Sequence, residues 1–233
     1  VKLFYSRRST ERFWREIEIL KKLSHPNILP LISGGVEGNE HYIVTPFISD
    51  GSLEQRLKKL PTRRNFSDIA SPLAIMIQVA KGLAYAHNQG ILHRDIKPEN
   101  IRLDGDFPYL ADFGLAKHVE TEAKITIREV GTPKYMAPEM WAKKASIQSD
   151  IYSLGVILYE IVSGQHPFSG HTPEQILLKQ QTTMPKPPIT LDSLLPASLN
   201  NIILKSIAKT PEQRHNSAEE WASDLVNTLA KII

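Results

Sequence analysis

The sequence predicts an α+β fold made of a small strand-bearing front and a larger helical back. Three observations predict it. Short apolar runs punctuated by Gly and Asn occur only ahead of the Pro46–Ser49 region, whereas helical spacing dominates beyond Asp50-Gly51. The 233 residues suffice for one domain of ordinary size that can be split into lobes. The chain contains no internal repeat and no low-complexity tract. The expected division is 1–47 for the front and 48–233 for the back.

In order, a basic strand-like start over 1–5 leads into a helix beginning near Ser9, with Phe13, Ile17 and Leu20 at helical spacing. Ser24-His25-Pro26-Asn27 stops that helix. Strands are expected over 28–33 and 42–44, joined by a turn through the Gly34-Gly35-Val36-Glu37-Gly38-Asn39 stretch. Ser71-Pro72 reads as a helix start with Pro at the first helical position, and Leu73, Ile77, Ala80 and Leu83 point inward before Gly90 ends the helix. A second helix runs over 149–163 and closes at Gly164. Ser217 and Glu220 form a capping box for the last helix, which carries Trp221, Leu225 and Leu229 four apart.

Composition removes several functions. Lys+Arg 28 against Asp+Glu 25 is a mixed surface with net charge +3, and no basic run interleaved with aromatics supports nucleic acid binding. The absence of cysteine excludes disulfides and thiolate metal sites. The longest apolar run, 151–162, is broken by Ser153, Gly155 and Glu160, so it reads as a buried core helix and not as a membrane segment.

The chemistry concentrates in three stretches. His93-Arg94-Asp95-Ile96-Lys97-Pro98-Glu99-Asn100 is followed, twelve residues after Asn100, by Asp112-Phe113-Gly114. Gly131-Thr132-Pro133-Lys134-Tyr135-Met136-Ala137-Pro138-Glu139 comes next. Phosphoryl transfer needs a carboxylate near the attacking hydroxyl, oxygen ligands for magnesium and a cation against the phosphates. Asp95 fits the first role. Asn100 and Asp112 supply hard oxygens for Mg²⁺, which takes few protein ligands and several phosphate oxygens. Lys97 fits the third role. Alone, Asp-Phe-Gly is a turn and His-Arg-Asp a surface ion pair; in order and at this spacing they are specific.

On these motifs the chain resembles the eukaryotic-type (Hanks-type) protein kinase family over its whole length. Lys97 two residues after Asp95, and Gly131-Thr132-Pro133 ahead of Tyr135, resemble the Ser/Thr branch; Ser149-Asp150-Ile151-Tyr152-Ser153-Leu154-Gly155 resembles the bacterial members. The resemblance implies a bilobal protein-kinase-like fold, ATP and Mg²⁺ as cofactors, protein substrates with Ser/Thr acceptors and a cytoplasmic location, the parent protein being open to membrane anchoring. It implies that 1–47 is a partial N-lobe with the lysine strand, a regulatory helix and two strands, and that 48–233 is a complete C-lobe.

Residue by residue, Lys2 matches the lysine that aligns the α/β-phosphates. Glu16 matches its ion-pair partner, with Glu18 a competing candidate. Thr45 falls at the gatekeeper position, and Pro46 and Ile48 on the hinge that meets adenine; Pro46 lacks an N–H but supplies its carbonyl there. Leu20, Leu31, His93 and Phe113 match a stacked regulatory set anchored by Asp150, and Glu139 and Arg214 match a buried ion pair. Thr121 and Thr126 are expected sites of self-phosphorylation, with Arg12, Arg94 and Lys117 as docking cations. Thr132 is expected as a structural hydroxyl near Asp95 and Lys97.

Two departures stand out. The Gly-rich loop that covers the phosphates would precede Val1, so the chain taken alone is expected to be weak or inactive. Arg102 occupies the position where the family places an apolar side chain beneath adenine. Its guanidinium either stacks on the base or swings to solvent along its apolar stem. Two rival readings follow: a pseudokinase or kinase-fold binding scaffold, and a small-molecule phosphotransferase.

Overall fold

A computed structural model describes residues 2–6, 10–38, 40–62, 64–113, 116–118 and 133–231, with the backbone alone at 2–6, 10–12 and 117–118. The front is a three-stranded antiparallel sheet with one helix on it. Strand β1 (Lys2–Ser6) is followed by helix α1 (Thr10–Lys22), then by β2 (Ser33–Glu37) and β3 (Glu40–Thr45), in the order β1-β3-β2. The register sets Lys2 opposite Thr45 and Ser33 opposite Val44. Phe13 and Ile17 of α1 bury against Ile43 of β3 with Leu31 at the margin, so the expected helical face is the one in contact with the sheet.

The strand pair differs from the sequence expectation. Residues 28–32 are irregular apart from a bridge between Ile28 and Leu110, and Gly34, Gly35, Val36 and Glu37, read as part of a turn, form β2 together with Ser33. The glycines there answer a packing demand. A Cβ on Gly34 would sit 2.7 Å from Cδ1 of Ile17, so the bare backbone lets α1 lie close on the strand.

The back is helical. Helix α2 (Leu53–Leu57) leads to α3 (Phe66–Asn88), then come β4 (Ile91–Leu92), the hairpin β5 (Ile101–Asp104) and β6 (Phe107–Leu110), and β7 (Lys117–His118), which pairs with β4. Four further helices complete it: α4 (Ile147–Ser163), α5 (Pro173–Thr182), α6 (Ala197–Ser206) and α7 (Ala218–Leu229).

Helix α3 starts at Phe66 and not at the expected Ser71-Pro72. Asn65 accepts from the Asp68 N–H at 3.1 Å while Asp68 accepts from the Asn65 N–H at 2.9 Å, a reciprocal cap that starts the helix early. Pro72 therefore lies inside the helix and leaves the Asp68 carbonyl without its i+4 donor. Helix α3 is long and apolar enough to cross a membrane by length and composition. Its Leu73, Ile75, Met76, Val79, Ala80 and Leu83 are nevertheless fully buried in the same core as α4, α6 and α7, which makes it a core helix.

Helix α4 ends where the sequence predicts and starts two residues earlier, at Ile147 behind its N-cap Ser146. It is buried along nearly its whole length, and its C-cap Gly164 takes φ 69°, the left-handed conformation that glycine adopts without penalty. At α7 only half of the predicted box forms. Ser217 Oγ accepts from the Glu220 N–H at 3.0 Å, but the Glu220 carboxylate reaches back to Asn216 instead of Ser217.

Candidate active site

The site is organised around one carboxylate in the first turn of α4. Asp150 is fully enclosed and accepts from the backbone N–H groups of His93 at 2.9 Å and Arg94 at 2.8 Å, and from His87 Nε2 at 2.8 Å. Burial pushes its pKa up, but the His87 hydrogen bond, the two nearby imidazoles and the Arg94 amide outweigh that and hold it below the usual carboxylate range. With both amides held, Arg94 adopts φ 67°, a conformation a non-glycine residue keeps only when its surroundings fix it. The chain then continues into buried Asp95 and half-buried Lys97.

The next residues form a tight polar cluster. Lys97 Nζ donates to Asp95 Oδ2 at 2.8 Å. The Asn100 amide nitrogen donates to the Asp95 carbonyl at 2.8 Å and to Asp95 Oδ2 at 3.1 Å. Both acceptors are oxygens, so the NH₂ end of Asn100 is fixed inward and its Oδ1 lies on the other side of the amide. The Asn100 carbonyl accepts from Ala111 N at 2.8 Å, which ties the residue ahead of β5 to the one preceding Asp112. Asp112 has φ 65° and is exposed between buried Ala111 and Phe113. The left-handed backbone turns its carboxylate out of the core.

His93 links the two stretches. Its Nε2 donates to the Ala111 carbonyl at 3.2 Å, its Nδ1 accepts from the Asp95 N–H at 3.3 Å, and its ring packs on Phe113 with centroids 4.6 Å apart. Leu20 and Phe113 belong to one apolar core, with Leu31 partly buried against it.

The remaining predicted residues fall as follows. Glu16 is buried on α1 whereas Glu18 is exposed, which separates the two candidates. Lys2 lies on β1 with its backbone opposite Thr45; its side chain is outside the described residues. Thr45 is buried at the end of β3, and its hydroxyl donates to the Pro46 carbonyl at 3.3 Å; Pro46 and Ile48 are half-buried beside exposed Phe47. The segment leaving Ile48 is laced to the β5–β6 hairpin: Gly51 O accepts from Leu103 N at 3.1 Å, Ser52 bridges Arg102, and Asp50 accepts from Gly105 N at 2.8 Å. Arg102 is half-buried opposite Tyr109, on the strand face away from fully buried Ile101 and Leu103. Thr121, Thr126 and Thr132 lie outside the described residues, as do the side chains of Arg12 and Lys117.

Among the described residues no group of three or more His, Asp or Glu side chains is placed to hold a metal alone. A two-oxygen set such as Asn100 and Asp112 suits magnesium, which completes its shell with phosphate oxygens and water. Three contributors were not read from the sequence. His87 is the third partner of Asp150 and lies 63 residues from it; a histidine in the last turn of a helix reads as a helix-end charge. Ser153 donates to the Tyr135 carbonyl at 2.8 Å, and Gln180 of α5 reaches the same segment. The only sequence signal for Gln180 is a polar residue four after inward-facing Ile176.

The far side of the site is fixed by Glu139 and Arg214. Arg214 donates twice to Glu139, at 2.7 and 2.9 Å, and to the carbonyls of Gln148, Ala208 and Lys209, with its guanidinium over the Tyr152 ring.

Residues 2–227 match the protein kinase domain family. A probable serine/threonine-protein kinase of Clostridium acetobutylicum is 36% identical over 220 residues, covering 93% of this chain and 33% of the relative. The serine/threonine-protein kinase PrkC of Bacillus subtilis is 34% identical over 218 residues, covering 92% of this chain and 33% of its own length. A probable serine/threonine-protein kinase PknB of Lactococcus lactis is 34% identical over 221 residues, covering 93% and 34%. The chain thus spans about a third of the length of these curated relatives. With the ordered motifs and the Asp150-centred loop, this match identifies the chain as a member of the protein kinase domain family, on its bacterial serine/threonine branch.

Proposed function

We propose that this chain is the catalytic body of an ATP-dependent protein kinase that transfers the γ-phosphoryl group to Ser/Thr hydroxyls of proteins. The observation that carries the reading is the Asp95–Lys97–Asn100 cluster, in which one carboxylate oxygen receives hydrogen bonds from both an ammonium and an amide. Asp95 takes the proton of the acceptor hydroxyl as its oxygen attacks the γ-phosphorus, and releases it to solvent after ADP has left. Lys97 sets positive charge against the transferring group. A magnesium ion held through Asn100 and Asp112 would neutralise the β- and γ-phosphates.

In this reading 1–47 is the N-lobe part and 48–233 the C-lobe. Lys2, fixed by Glu16, aligns the phosphates. Thr45, the Pro46 carbonyl and the Ile48 backbone meet adenine, with Arg102 beneath the base. Phosphorylation at Thr121 or Thr126 orders the activation segment. Arg94 supports that role, since its Nε and Nη1 are buried without a hydrogen-bond partner among the described residues. Burial and nearby Arg15 disfavour its charge and Asp150 favours it, with burial the strongest influence. Protein substrates and a cytoplasmic site of action complete the proposal.

Arg102 favours a second reading, a kinase-fold scaffold that binds nucleotide without transferring phosphate. The test is Mg²⁺-ATP phosphate transfer to a generic Ser/Thr protein substrate by the full-length protein, beside the 233-residue chain and Asp95→Asn. Transfer that Asp95→Asn abolishes is the expected result. Nucleotide binding without transfer by any form, activation segment phosphorylated, would decide for the scaffold.

A further inference from the structure

Three consecutive carbonyls, those of Pro133, Lys134 and Tyr135, are each held from below by a buried side chain. Gln180 Nε2 of α5 donates to the Pro133 carbonyl at 2.9 Å and to the Lys134 carbonyl at 3.2 Å. Ser153 of α4 donates to the third at 2.8 Å. Gln180 has no exposed surface, and its Oε1 is buried without a hydrogen-bond partner among the described residues. Leaving an amide oxygen unpaired in the interior is unfavourable. What the side chain contributes at this position is therefore its two donated hydrogen bonds.

The segment so held adjoins the catalytic loop. Tyr135 and Met136 share one buried apolar core with Ile96 of that loop, and Tyr135 donates to Glu160 at 2.9 Å. The side chain of Lys134 is exposed, so the upper surface of the segment is open to a ligand.

We propose that Gln180 is a positioning residue for the polypeptide substrate. By fixing the carbonyls of Pro133 and Lys134 against α5 it sets the height of the shelf on which an extended peptide lies with its hydroxyl at Asp95. The inference rests on the kinase reading above and concerns how that site takes its protein substrate. An amide is suited to this because a carboxylate would repel both carbonyls and an apolar side chain would leave them unpaired.

The test measures initial rates in the full-length protein against a Ser/Thr peptide and, separately, against ATP. Gln180→Met keeps the volume and removes the donors, Gln180→Glu turns donors into acceptors, and Gln180→Lys returns donors to the same carbonyls. Losing two buried hydrogen bonds predicts a peptide KM raised about tenfold in Gln180→Met and further in Gln180→Glu. The KM for ATP, and kcat at saturating peptide, should stay within about twofold of wild type. Gln180→Lys should recover most of the peptide KM, which separates positioning from any loss of folded protein in the other two. An unchanged peptide KM in Gln180→Met, or parallel losses in kcat and ATP KM without recovery in Gln180→Lys, would overturn the proposal. A wild-type protein that binds Mg²⁺-ATP yet transfers no phosphate would instead overturn the kinase reading, and this proposal with it.

Discussion

Arg214 grips Glu139 through two hydrogen bonds of 2.7 and 2.9 Å, across a sequence separation of 75 residues. The guanidinium is fully enclosed, and Ser149 adds a third hydrogen bond to the same carboxylate at 2.7 Å. The pair ties the end of the segment after Tyr135 to the turn that opens α7.

Removing one partner leaves the other charge buried and unpaired, which typically costs about 3–5 kcal/mol. Arg214→Ala and Glu139→Ala should each lower stability by about that amount in urea titrations. The double variant should cost less than the sum by at least about 1 kcal/mol, because neither charge is then orphaned. Strict additivity would show that the two residues act on the fold separately.

Stability should fall on acidification through two histidines. Burial pushes the pKa of His166 down to about 4 from 6.5. Burial, helped by the Lys205 charge, takes His215 down to about 4 as well. The Glu220 charge and the Asp224 carboxylate, 3.4 Å from His215 Nε2, pull the other way, but burial outweighs them. As pH drops below 6.5 the unfolded chain takes up a proton at each histidine that the folded protein refuses until about 4. The stability they contribute is whole above 6.5 and is lost toward 4. Each contributes up to about 1.4 kcal/mol per pH unit in that window. His215→Leu should flatten the dependence of the urea midpoint on pH between those limits; an unchanged slope would exclude His215 as a source.

What the sequence made legible was what it holds locally. Asp95, Lys97 and Asn100 fall within six residues, so their cluster follows from one loop once the motif is seen. The α1 face of Phe13 and Ile17, and the buried length of α4, follow from spacing alone. Partnerships across long separations were not legible unless a family pattern names them. His87 meets Asp150 and Gln180 meets Pro133 over 63 and 47 residues, with no local signature. Pro72 and the paired glycines misled for a related reason: each was read as local punctuation. The Asn65 cap overrode the first, and a helix packed on the strand explains the second.

That last contact makes a sharp prediction. The Cβ of an alanine at position 34 would sit 2.7 Å from Ile17 Cδ1 and 3.2 Å from the Tyr42 carbonyl. Overpacking of this kind costs about 1–3 kcal/mol, and Gly34→Ala should lose that much in denaturant. The flexible end of Ile17 is the nearer obstacle, so Ile17→Val removes the offending methyl. In that background Gly34→Ala should cost less than about 1 kcal/mol, a coupling expected of residues in direct contact. Hydrogen exchange in α1 should follow the same pattern, because Glu16 is buried on the helix that the added methyl lifts from β2. Equal cost in both backgrounds would place the constraint on the Tyr42 carbonyl, and Gly34 would then be needed for the spacing of β2 against β3 and not for the docking of α1.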